Sequence, residues 1–352
     1  MGKIVVPGKE ILIPRVVVRP LLPPPPTFST RLQPQHLHWQ VGRYKERLTS
    51  GPGGLGRGKV WVVEREAEQH NLILNQTYDS LMAQYDLLSL ARYAVVGTGS
   101  TPPDPTQTGL VSEVARQDYG SLLPHALVSD HVYDISATIE FPETKVGGRN
   151  LTEWGFSPVS TPGNNLMVRE LFRDGSSNPV VLTLATDQRL RLIYKYRVSF
   201  FPNTAQDVSI NINGLGVKTG RFILVRGRYP DFYHLLQMMS EFMTGVSVQF
   251  RVLSAFLPLN PSDTSYYNGT ENFSISYQTY TSGSRTRKTQ PLTIPNTAAN
   301  ITWATFGLGK YVGPDYITNQ VIARFVFNSG QEFTKSNLYK ITIGEWVLTW
   351  GP

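Results

Sequence analysis

The chain is poor in residues able to do chemistry. It contains no cysteine, which excludes disulfides, thiolate-bound zinc, iron–sulfur clusters and thiol catalysis. Its six histidines include one close pair, His36 and His38. Residues two apart on an extended backbone face the same way, as a metal would require, but no carboxylate stands beside them to complete a ligand set. His234 falls in a helical pattern and reads as a packing or solvent-facing residue. Gly97-Thr98-Gly99-Ser100 follows a strand-like run without the glycine spacing of a dinucleotide loop. Pro102, Pro103 and Pro105 then bar the helix whose N-terminus would hold a phosphate. Gly214-Leu215-Gly216 lacks the Lys-Ser/Thr of a P-loop, so no metal or cofactor is expected. The 26 acidic residues show no acid/base setting, although the carboxylate separation of a glycosidase is a tertiary property. A carbohydrate-active enzyme is therefore the remote reading, with Tyr266, Tyr267, Tyr277 and Tyr280 as a sugar-facing row. The expectation is a protein that is not an enzyme.

Other residues point to architecture. Trp154, Trp303, Trp346 and Trp350 are expected to be buried anchors within or between domains. Pro105 and Pro261 close two copies of a Pro-x-(Asp/Asn)-Pro turn, Pro102–Pro105 and Pro258–Pro261, 156 residues apart. An X-Pro step bars helix, and Asp104 or Asn260 closes the turn with its side chain.

The elements around these turns recur in one order. Val60–Val63, a helical pattern over Tyr78–Leu88 and the alternating Ala91–Gly97 precede the first turn. Val208–Ile212, a helix over Phe232–Met243 and the alternating Val246–Val252 precede the second. Downstream, His131–Ile139 parallels Glu271–Tyr277, Asn150–Phe156 parallels Asn300–Phe306 at an offset of 150, and Val168–Phe172 parallels Ala323–Phe327 at 155. Each series closes on a long strand, Leu190–Phe200 and Tyr339–Trp350. The fold expected is mainly β: two tandem, duplicated β-sandwich or barrel domains, 59–203 and 204–352, each with one flanking helix. A length of 352 residues suits two cores.

The net charge of +7 is confined to residues 1–58, which hold nine basic side chains against Glu10 and Glu46. The remaining chain balances 24 basic and 24 acidic groups. The basic segment is proline-rich, with Pro23 to Pro26 favouring a stiff polyproline rod, and ends in the glycine run 51–58, read as a flexible linker. Its apolar triplets Ile4-Val5-Val6, Ile11-Leu12-Ile13 and Val16-Val17-Val18 fit an extended arm docking on a neighbouring subunit, or a strand lying on its own domain. The sequence has no 18-residue apolar run for a spanning helix, and neither a secretory signal nor a myristoylation motif is expected.

One series of motifs runs through His70-Asn71-Leu72-Ile73, Ala91-Arg92-Tyr93-Ala94-Val95-Val96-Gly97-Thr98-Gly99-Ser100-Thr101-Pro102 and Thr108–Arg116. It continues through Asn150–Ser157, Leu166–Phe172 and the closing alternating strand. Over these residues, about 60–200, the chain resembles tailed-bacteriophage tail proteins. The second series lacks the Gly-Thr-Gly and Glu-Trp-Gly elements. The resemblance implies a siphovirus tail tube subunit, built as a β-sandwich with one helix and assembled into stacked rings that conduct DNA. Two such units in one chain imply a pseudo-hexameric trimer. The partners would then be further copies of the chain, other tail proteins at the tube ends, and genomic DNA passing without sequence-specific binding. The location would be the virion, assembled in the host cytoplasm. A baseplate or tail-fibre (receptor-binding) component is the alternative. Arginine exceeds lysine 22 to 11, which with the lack of cysteine suggests a thermophilic host.

Overall fold

The computed structural model describes residues 4–6, 9–11, 27–51, 54–212, 214–227, 234–245, 248–263, 271–310 and 321–351. Two short strands, β1 (Ile4–Val6) and β2 (Lys9–Ile11), pair antiparallel. The rest of the arm reading for residues 1–26 lies outside the described residues.

The first series runs β3 (Phe28–Gly51), β4 (Gly54–Gln69), β5 (Leu72–Ile73), α1 (Asn75–Ala83), β6 (Tyr93–Gly97), β7 (Glu113–Asp118), β8 (His125–Ser129) and β9 (Val132–Phe141). It continues through α2 (Glu143–Val146), β10 (Asn150–Leu151), β11 (Glu153–Ser157), β12 (Val168–Leu171), β13 (Leu182–Thr183) and β14 (Arg189–Phe201). The second comprises β15 (Gln206–Ile212), β16 (Gly216–Leu224), α3 (His234–Thr244), β17 (Val248–Leu253), β18 (Glu271–Ser274), β19 (Thr286–Lys288) and β20 (Leu292–Ile294). It ends with β21 (Thr302–Trp303), β22 (Thr305–Lys310), β23 (Ala323–Phe327), β24 (Phe333–Thr334), β25 (Ile341–Ile343) and β26 (Val347–Gly351).

The strands stack as sandwiches. A five-stranded sheet, β5-β12-β11-β6-β7, and a six-stranded sheet, β15-β16-β23-β22-β17-β18, flank a seven-stranded sheet ordered β19-β26-β3-β14-β9-β8, with β4 paired to β3. β14 shows why. Leu190, Leu192, Tyr194, Tyr196, Val198 and Phe200 alternate onto one buried face, each contributing about 1.5–3 kcal/mol when fully buried. The ring of Tyr194 stacks on Phe156 of the facing sheet at 4.4 Å. In the second sandwich Trp346 packs against Phe250 and Phe306.

The two flanking sheets have one topology. β5-β12-β11-β6-β7 matches β16-β23-β22-β17-β18 strand for strand, and the minor pair β10–β13 matches β21–β24. Loop hydrogen bonds repeat as well. Asn75 N–H donates to the Pro105 carbonyl (2.8 Å) as Arg226 N–H does to that of Pro261 (2.9 Å). Leu74 to Met167 recurs as Val225 to Ile322, Thr152 to Gly97 as Ala304 to Leu253, and Phe172 to Thr152 as Phe327 to Ala304. Residues so placed are equivalent positions of a repeated module.

The strand correspondence differs from the sequence alignment in three places. Gly155 pairs with Arg169 and Gly307 with Arg324, so this strand is offset by 152, not 150, and Trp154 matches Phe306. His131–Ile139 corresponds to the run starting at Arg285, not to Glu271–Tyr277. His131 and Arg285 both adopt positive φ, 65° and 51°, and their carbonyls accept the N–H groups of Phe200 and Trp350. β18 pairs with β17 as β7 pairs with β6. Finally, the strand leading to the first helix is β5, equivalent to the end of β16; Val60–Val63 belongs to β4.

Residues 28–58 are not arm and linker. β3 pairs with β14 over Ser29–Gly42 and with β4 over Leu37–Gly51, and Gly51, Gly54, Gly56 and Gly58 lie in the paired strands of that hairpin. Phe28 reaches the second sandwich, beside Phe222, Phe242 and Trp346. A hairpin tip and a linker share the same Gly/Pro composition, so composition alone does not separate them. The sheets do not close into a barrel.

The two modules face each other across a pseudo-dyad. β14 runs antiparallel to β3 and β26 parallel to it, so the equivalent strands β14 and β26 flank β3 in opposite directions. The order β9-β14-β3-β26-β19 is a palindrome. The side-chain contacts are reciprocal too. Arg285 donates to Asn75 Oδ1 at 3.2 Å, while Arg226, equivalent to Asn75, lies 3.9 Å from Asp130, which precedes the Arg285-equivalent His131. α1 meets its counterpart α3, with Leu87 N–H donating to Ser240 Oγ at 3.2 Å.

Candidate functional site

Each module holds a buried arginine at the same position, and the second module also buries Arg251 on β17. Arg169, on β12, is fully buried and donates to Glu153 Oε2 through Nη2 (2.8 Å) and Nε (3.2 Å), and to the Thr101 carbonyl (3.0 Å). Arg324, on β23, donates to Asp263 Oδ2 (2.8 Å) and to the carbonyls of Pro258 (2.9 Å) and Val321 (2.9 Å). Each guanidinium therefore ties a Pro-x-(Asp/Asn)-Pro turn to the sheet. The strand opposite must be glycine. A Cβ at Gly155 would meet the Val168 carbonyl at 2.6 Å, and one at Gly307 that of Ala323 at 2.0 Å.

The counter-charge comes from different places. In the first module it is Glu153 on β11, which also accepts from the N–H groups of Gly99, Val111 and Ser112. Thr305 stands at that position in the second module. There the carboxylate is Asp263, equivalent to Gln107, whose Oε1 accepts from Arg169 at 2.5 Å. A buried ion pair that loses one partner leaves an uncompensated charge, so the acid has moved between modules while the arginine has stayed.

The clamped turns frame the module interface. Ser262 donates to Asp130 at 2.5 Å, and His131 is fully buried between the modules. Burial pushes its imidazole down to about 4, against the opposing pull of Asp130 and of the Pro261 and Leu224 carbonyls.

The outer face of the seven-stranded sheet is polar, and the cations of β14 on it are ion-paired. Arg197 (2.7 Å) and Lys195 (2.8 Å) on β14 meet Asp134 on β9. Arg189 (2.8 Å) and Arg191 (2.7 Å) meet Glu140. Burial opposes ionisation of both carboxyls, but the hydrogen bonds from these cations outweigh it and hold both below the usual carboxylate range. Beyond Gly42, where pairing with β14 ends, β3 and β4 continue as a two-stranded ribbon. Its base is an aromatic and cationic stack: Tyr44 sits edge-on to Trp61 at 5.5 Å, and the Arg191 guanidinium lies 4.0 Å over the Trp61 ring.

The residues singled out from sequence are scattered through this frame. Trp154 packs on Phe156, Trp303 on Phe250 and Phe333, Trp346 on Phe28 and Phe222, and Trp350 lies buried on β26. The Pro105 and Pro261 carbonyls hold the segments entering each helical region. His38 Nε2 lies 2.9 Å from Glu66. Tyr277 packs edge-on to Phe242 and Tyr280 bonds Asp79, while Tyr266, Tyr267 and the side chain of His234 lie outside the described residues. Arg169, Arg324, Glu153 and Asp263 were not singled out, although one signal was present: an arginine at matching positions inside two apolar runs.

No protein-family model matches the chain, and searches of curated proteins and of solved structures return no match. No described helix is long and apolar enough to cross a membrane.

Proposed function

We propose that the chain is a self-assembling structural subunit of a tailed-phage virion, a tail tube subunit whose rings conduct DNA. The observation that carries this reading is the outer face of the seven-stranded sheet. It is a broad β-surface on which four cations, Arg189, Arg191, Lys195 and Arg197, are all ion-paired, sharing Glu140, Glu143 and Asp134. Free guanidinium groups bind phosphate and release counterions; a wall of satisfied ion pairs lets a polyanion slide. The carboxylates of the two clamps, Glu153 and Asp263, are committed to arginine, which leaves them unsuited to proton transfer.

The pseudo-dyad changes the expected geometry. Six like positions from three chains require head-to-tail modules, with β14 and β26 running in one sense around the axis. They run in opposite senses, so a ring of this fold repeats whole chains. The same feature favours one alternative, a baseplate or fibre component present in few copies. Electron microscopy of the purified full-length protein tests the proposal. Tubes or stacked rings support it; a monomer that persists at high concentration refutes it; a few copies per virion select the alternative.

A further inference from the structure

The shared strand β3 leaves one edge open. In the first module the hairpin β3–β4 is flanked by β14 along Ser29–Gly42. Its counterpart is the hairpin β15–β16, but β26 runs along β3 instead, so among the described residues β15 pairs only with β16. Edges are usually blunted by charged side chains, lysine above all, by proline or by a bulge. β15, Gln-Asp-Val-Ser-Ile-Asn-Ile, carries one charge, Asp207, no lysine and no proline, and pairs in unbroken register. It is a site for strand addition.

The chain carries a segment suited to it. Arg15-Val16-Val17-Val18-Arg19 is a β-branched run bounded by Pro14 and Pro20. Proline cannot donate to a ladder, so such a strand terminates itself at both ends. Its two arginines suit the exposed Asp207 of β15, whose one ion-pair neighbour among the described residues is Arg221 at 3.4 Å. The chain enters the body at Phe28, beside Phe222, the cross-strand partner of Gln206. Eight residues, Pro20 to Thr27, separate the run from that point. In the polyproline geometry that four consecutive prolines favour, eight residues would span about 25 Å, and β15 itself is about 23 Å long. A spacer of that reach would carry the run past the chain's own edge, to another copy.

We infer that Arg15–Arg19 of one copy adds as a strand to the open edge of β15 in a second copy. The inference rests on the chain being a self-assembling subunit. The absence of cysteine makes the test clean. Full-length Val17→Cys and Ser209→Cys proteins are mixed and oxidised. A covalent heterodimer is expected, with its yield reduced about tenfold when Val18→Pro is added to the arm partner. Mixing Val17→Cys with Ser176→Cys, on an exposed loop, sets the collisional background. Heterodimer at that background, in protein that still forms particles by microscopy, overturns the docking and leaves the assembly reading intact. An intramolecular disulfide in the Val17→Cys/Ser209→Cys double variant overturns the second-copy occupant. Absence of both particles and heterodimer overturns the two together.

Discussion

The displaced carboxylate can be moved back by mutation. Glu153→Thr installs in the first module the residue that occupies the equivalent position, Thr305, in the second. It removes the counter-charge 2.8 Å from a fully buried Arg169 and an acceptor for three backbone N–H groups. Breaking a buried pair in this way costs about 3–5 kcal/mol. The threonine hydroxyl recovers only part, as Thr305 does by accepting Leu257 N–H and donating to the Ala255 carbonyl. Adding Gln107→Asp places a carboxylate where Asp263 serves Arg324 at 2.8 Å. The double variant should regain at least about half of the loss, because the unpaired charge is the dominant penalty. Equilibrium urea unfolding, with Glu153→Thr, Gln107→Asp and the double variant compared in one cycle, measures the coupling. A single variant costing less than about 1 kcal/mol, or a double variant no more stable than Glu153→Thr, refutes the equivalence of the two clamps.

Two further outcomes follow from the same frame. His131 is held neutral, with its folded pKa near 4 against an ordinary 6.5, so the unfolded chain binds its proton first as pH falls. Its contribution is complete above pH 6.5 and is lost between 6.5 and 4, about 3 kcal/mol in all. His131→Asn, which tolerates the left-handed backbone, should flatten this part of a urea-midpoint pH profile; an unchanged profile rules the histidine out as its source. Deleting residues 1–26 should leave a folded body, whereas deleting 1–58 removes β3, the strand between β14 and β26, and should abolish cooperative unfolding by circular dichroism. A folded 59–352 fragment would contradict the shared-strand architecture.

Local chemistry made part of the fold legible. The alternation in Leu190–Phe200 marked a half-buried strand, and the repeated Pro-x-(Asp/Asn)-Pro turns marked a repeated module, because both signals are written in consecutive residues. The register of the repeat was less accessible. Insertions of a few residues between elements change the offset from 151 at Asn75 and Arg226 to 156 at the turns, and only pairing partners such as Gly155–Arg169 and Gly307–Arg324 fix it. The clamps were hidden for a related reason. Arg169 finds its acid 16 residues away and Arg324 finds its own 61 away, so no common spacing links them. The pseudo-dyad was invisible, since strand direction across β3 is set entirely by tertiary pairing.

The parallel pairing of β26 with β3 also orders events during synthesis. Phe28 waits for Leu348, and about 320 residues must be translated in between. At about 5–20 residues per second the delay is about 15–65 s. Throughout that interval the nascent chain exposes the flank of β3 that β26 will cover. Neighbouring chains held apart over the same interval, by chaperone or by spacing along the message, are spared pairing through that flank.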